Sequence, residues 1–167
     1  MTRARTNADN ATLGVTLTGA ETLTNKTLTA ARETNPRFSS PAELVTISAT
    51  AAGSTVQFDA ATTGVLYYTT TSTGNWTLNV RGTAATTLNN LMTIGDALTI
   101  VFMATNVTAY YANAFNIDGT TSGVTVKYQN GVAFSSGNAN SIDTYSYTII
   151  KTASATYTVL ASQTKFA

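Results

Sequence analysis

The chain has no cysteine and no histidine. Without thiols there is no disulfide, no thiolate nucleophile and no cysteine-based zinc site, and without imidazole the commonest general base and metal ligand is missing too. Charge is scarce as well. Lys, Arg, Asp and Glu make up 10% of the residues and the formal net charge is +1, against roughly 25% charged residues in ordinary globular domains. A surface basic enough to hold nucleic acid or an anionic membrane is therefore not expected. No apolar run approaches the roughly 18 residues of a membrane span, and Met1–Asn10 lacks the apolar stretch of a secretory signal. The expectation is a protein without membrane insertion, made in the cytoplasm.

What the chain has instead is threonine, about one residue in five. Threonine is β-branched and suits the exposed side of a strand. Alternation of apolar and hydroxyl residues recurs at Val45/Ile47/Ala49, Val56/Phe58, Val65–Tyr68, Trp76/Leu78/Val80, Ala114–Ile117, Val124/Val126/Tyr128, Tyr145/Tyr147/Ile149 and Tyr157/Val159/Ala161. With turn signals every 8–12 residues or so, this pattern predicts an all-β fold, an antiparallel β-sandwich of jelly-roll type, over residues 42–167. Trp76 is expected as a core anchor and Asn130-Gly131 as a tight hairpin turn. The nearly continuous apolar run Ala97–Ala104 reads as a central strand buried on both faces. Leu88, Leu91 and Met92 are spaced for a turn of helix.

Ahead of this head lies a different kind of segment. Thr-Leu-Thr occurs at 16–18, 22–24 and 27–29, with apolar residues only at Leu13, Val15, Leu17, Leu23 and Leu28. These are too few to offset the entropy of ordering the segment by itself, so it is either disordered or completed by other chains. Residues 1–20 read as a docking peptide, with Arg3 and Arg5 able to grip an acidic pocket on a neighbouring protein. Residues 21–41 read as a neck or linker, and short bursts of alternation from Thr12 to Thr29 suit short strands shared between chains. Both prolines, Pro36 and Pro41, fall just before the head.

Two classes of site deserve weighing. Tyr110, Tyr111, Phe115, Asn116 and Asp118 combine aromatic faces with amide and carboxylate groups, the chemistry of a glycan or partner contact. The same residues also suit a strand whose aromatics alternate into the core. For hydrolysis, the head's carboxylates are Glu43, Asp59, Asp96, Asp118 and Asp143, all isolated in sequence, whereas glycoside hydrolysis needs two facing each other. No nucleophile or base motif accompanies Thr or Lys. The expectation is no enzyme, no cofactor and no metal site.

Glu21–Thr29 (Glu-Thr-Leu-Thr-Asn-Lys-Thr-Leu-Thr) resembles an element that recurs in tail-fibre and other virion structural proteins of tailed bacteriophages. Val65–Tyr68, Asn75–Gly82, Ser141–Lys151 and Tyr157–Phe166 are similar to the C-terminal domain of virion proteins from phages of marine cyanobacteria. The resemblance covers roughly residues 21 to 167. It implies a virion component on tail or capsid, homotrimeric, held to another virion protein through its N-terminus and able to meet a host surface glycan. In long fibres the element follows an extended shaft, whereas about 20 residues precede it here, which implies a short appendage, a baseplate piece or a capsid decoration protein. A monomeric carbohydrate-binding module is the alternative from another class.

Overall fold

The computed structural model describes residues 42–167. Within them the alternating segments form nine strands: β1 (Val45–Ala51), β2 (Ser54–Asp59), β3 (Val65–Thr70), β4 (Trp76–Arg81), β5 (Ala97–Asn106), β6 (Ala112–Ile117), β7 (Val124–Tyr128), β8 (Ser141–Ala153) and β9 (Thr156–Phe166). The expected helical turn is α1 (Leu88–Leu91), between β4 and β5. The docking peptide and neck, with Arg3, Arg5, Leu13, Val15, Leu17, Leu23 and Leu28, lie outside the described residues.

From β1 to β6 the chain alternates between two sheets. Odd strands join a six-stranded sheet of order β1-β3-β5-β8-β9-β7, and even strands a three-stranded sheet of order β2-β4-β6. Each consecutive pair is thus one rung with a strand in each sheet, and three rungs stack. Within both sheets the stacked strands run parallel: β1 with β3, β3 with β5, β2 with β4 and β4 with β6. β8 and β9 then pair antiparallel with β5 and with each other, and β7 closes the far edge parallel to β9. The fold is all-β with two layers, but its larger sheet is mixed and its smaller one wholly parallel, which corrects the expectation of an antiparallel, jelly-roll sandwich. Alternation reveals which residues share a face and says nothing of strand direction. Parallel neighbours need a crossover, and here a strand of the opposite sheet supplies it.

The core lies between the layers. Val56, Phe58, Trp76, Leu78, Val80, Phe115 and Ile117 from the small sheet meet Leu66, Ile100, Phe102, Tyr145, Tyr147, Ile149, Tyr157 and Val159 from the large one, all buried. Trp76 is fully buried, as an anchor should be, with its ring edge-on to Phe102 at 5.9 Å and to Tyr145 at 5.6 Å. Phe115 stacks on Tyr147 at 4.7 Å. From the irregular stretch after β7, Phe134 reaches Tyr128 at 5.0 Å and Tyr145 at 5.4 Å, covering the open flank with further edge-on contacts.

Two local expectations are corrected. β5 is central, yet only one of its faces is buried: Ile100, Phe102, Ala104 and Asn106 point inward while Val101, Met103 and Thr105 stay half-exposed. Asn130 and Gly131 do form a tight turn, both with positive φ of 57° and 71°, closed by Val132 N–H donating to the Gln129 carbonyl at 3.4 Å. No hairpin follows, because β7 pairs with β9 instead of with the chain leaving the turn.

Burial pushes the core tyrosines upward in pKa. Tyr157 is raised to about 12, chiefly by burial with the charge of Asp118 adding to it. Tyr145 and Tyr147 are likewise raised well above the ordinary phenol value, again chiefly by burial. A phenol with a higher pKa folded than unfolded holds its proton more tightly in the fold, so its contribution is complete below the unfolded value of about 10 and is lost as pH climbs through the folded values. The thermal midpoint of residues 42–167 is expected to be insensitive to this core up to about pH 9.5 and to fall steadily above about pH 10. A midpoint unchanged from neutrality to about pH 12 would contradict the tyrosine-lined core.

Candidate functional site

The aromatic and polar residues singled out from 110 to 118 do not assemble into one site. β6 places alternate residues on opposite faces, so Phe115 is in the core while Asn116 ranks with Asn79 on the outer side of the small sheet. Asp118 sits in a tight turn with Gly119, both at positive φ, closed by the Ile117–Thr120 bridge. Its carboxylate accepts from the Leu88 and Asn89 amides at 2.7 and 3.1 Å, fastening the start of α1. Tyr110 and Tyr111 precede β6, partly buried against the core. The Tyr110 carbonyl accepts from Asn106 Nδ2 and the Tyr111 amide donates to Asn75 Oδ1, both at 3.1 Å. The five thus lie in different settings, core, outer sheet side and turn.

Most other charges of the head are likewise engaged within the scaffold. Arg81 donates to Asp59 at 2.6 Å across β4 and β2. Asp96 accepts from the Thr93 amide at 2.7 Å. Lys151, nearly buried, donates from Nζ to the Asn89 and Met92 carbonyls at 2.6 and 2.8 Å, so α1 is fastened at both ends by charged side chains of the sign its dipole favours. Among the described residues no three acidic side chains gather as a metal site would require, and no helix is long and apolar enough to cross a membrane.

Asp143 is the most consequential of these groups. It is fully buried on the inward side of β8, where Oδ2 accepts from Asn106 Nδ2 at 3.1 Å and from the Asn138 amide at 2.9 Å, and Oδ1 accepts from Ser141 Oγ at 3.2 Å. The segment between β7 and β8 is tied down through it, with Gly137 so close to the Tyr110 carbonyl and to Asp143 that no Cβ fits. Asp143→Ala strands these buried donors and is expected to lower unfolding free energy by about 3 kcal/mol in a urea titration. A loss under about 1 kcal/mol would show that the carboxylate does not hold the segment.

The surface that stands apart is the outer face of the six-stranded sheet. In-register pairing sets Val45, Val65 and Val101 in one rank and Ile47, Tyr67 and Met103 in the next. Across β8 and β9 these two ranks continue as Ser146–Ser162 and Thr144–Thr164, so in them the face is apolar over β1, β3 and β5 and hydroxyl-bearing over β8 and β9. The Tyr67 and Thr105 hydroxyls are hydrogen-bonded at 3.2 Å. Beyond Thr105, Ile142, Phe166 and Val107 line a shallow apolar hollow of about 430 Å³. Among the strand residues on this face Lys127, on β7, carries the only charge.

Strand β1 is inverted relative to the core. Thr46 and Ser48 share the inward side with Leu66 and Tyr68, whereas Val45 and Ile47 face outward, and Ile47 is 68% exposed. Thr46 on the inward side is itself exposed and Ser48 half-buried, so β1 lies at the margin of the core. Nothing in the alternation of Val45/Ile47/Ala49 distinguishes this strand from a core one, which is why sequence reasoning passed over it.

The described residues thus form a two-layer all-β domain of stacked parallel rungs, with most charged side chains hydrogen-bonded within the scaffold and an apolar block on the outer face of the larger sheet. Compared with protein-family models, curated proteins and solved structures, the chain matches none.

Proposed function

We propose that this chain is a structural component of a bacteriophage particle, a short trimeric appendage of tail, baseplate or head that displays residues 42–167 as its head domain. The observation that carries the reading is the end of the stack. Among the described residues both sheets stop at the first rung, leaving β1 and β2 as edge strands, and β1 is the first strand after the linker that follows the repeated Thr-Leu-Thr in sequence. Exposed strand edges template further pairing unless they are covered, and a rung stack ending this way is suited to continue into other chains. The resemblance of residues 21–29 to the virion element and the use of Asp59, Asp96, Asp118, Asp143 and Lys151 as internal fastenings support the same reading.

A closed three-fold arrangement presents three identical heads, so contacts too weak to hold singly act together. Localisation tests the proposal. Antibodies raised against residues 42–167 and visualised by gold labelling on particles purified from the source culture are expected to mark tail or capsid. Unlabelled particles from cultures that contain the protein would contradict a virion role.

A further inference from the structure

We propose that the apolar half of the six-stranded sheet's outer face, centred on Ile47, is where copies of this chain meet one another. The inference rests on the assembly reading above and names the surface that reading leaves open. Val45, Val65, Val101, Ile47, Tyr67 and Met103 form a contiguous apolar block three strands wide. Its outermost strand turns its apolar side away from its own core while setting Thr46 and Ser48 inward. Val45 and Ile47 are left 38% and 68% exposed on this side, and they are buried only if something covers the face.

Charge and chain order identify the occupant as a second copy. No charged residue stands on this face along β1, β3, β5, β8 or β9, so identical faces approach without repulsion and without any charge that a different partner would have to match. β1 is also the first strand after residues 1–41. Copies joined through their N-terminal segments would hold their β1 strands at high effective concentration. Six side chains of this size are a fraction of the roughly 800 Å² per partner that a stable interface buries. The face therefore works with the N-terminal segment and does not replace it.

The test uses the full chain. Light scattering after size exclusion is expected to give three times 17.4 kDa for the unmodified protein, with Ile47→Lys raising the dissociation concentration at least about ten-fold. Because Ile47 is exposed, this variant is expected to keep the unmodified far-ultraviolet circular dichroism, and Ser154→Lys in the exposed β8–β9 turn serves as the control that leaves assembly intact. The absence of cysteine allows a second reading. In the assembled chain Ile47→Cys should react with a maleimide at least about ten times more slowly than Ser154→Cys. A trimer unaffected by Ile47→Lys, with equal labelling at both positions, would overturn this surface and leave the assembly reading standing. A chain monomeric at every concentration would overturn both.

Discussion

Parallel pairing between successive rungs is the constraint on which the rest of the structure depends. Two neighbouring strands of one sheet can run the same way only if the chain travels back between them, and between rungs it does so through the opposite sheet. Both layers are therefore built together. Trp76 stands between them, packed against Phe102 and Tyr145, and the β8–β9 hairpin then extends the large sheet alone. One layer of three strands facing one of six leaves Phe134 to cover part of the open flank, and buried Asp143 holds the segment that carries it.

Much of this was legible in the residues, and what was not has a physical reason. Trp76/Leu78/Val80 alternates so cleanly that its inward face could be read directly, and Leu88, Leu91 and Met92 marked the single turn of helix. Asp143 was missed: isolated in sequence, it suggested a surface or turn carboxylate, whereas it is fully buried on the parity of Tyr145, Tyr147 and Ile149. Strand direction left no trace in alternation, so an antiparallel sandwich and the observed mixed one look alike. The continuous apolar run of β5 suggested burial on both faces because Val101 and Met103 are apolar, whereas they belong to the outer block. The same blindness applies to β1. Only its register against Leu66 and Tyr68 shows that Val45 and Ile47 point outward. For residues 110–118, composition suggested a site that strand geometry divides between core, surface and a helix fastening.

These features bear jointly on function. Most of the head's few charges are hydrogen-bonded internally, and much of its polar surface is threonine, serine and asparagine, residues that tolerate close approach of another surface without a large loss of ionic hydration. The hydroxyl half of the outer face keeps that surface from being uniformly sticky, while the apolar half supplies a limited driving force. Such a balance fits the proposed appendage, whose subunits would assemble when tethered and stay apart otherwise.

The central claim is that the outward side of β1 is covered when copies assemble. Hydrogen exchange of the full chain, followed by mass spectrometry on peptides spanning residues 42–51, tests it most directly when protein concentration is varied across the assembly range. The account predicts that exchange in β1 slows by about ten-fold or more as concentration rises, while peptides from β8 do not change. Exchange in β1 that is independent of concentration while the chain assembles would contradict it.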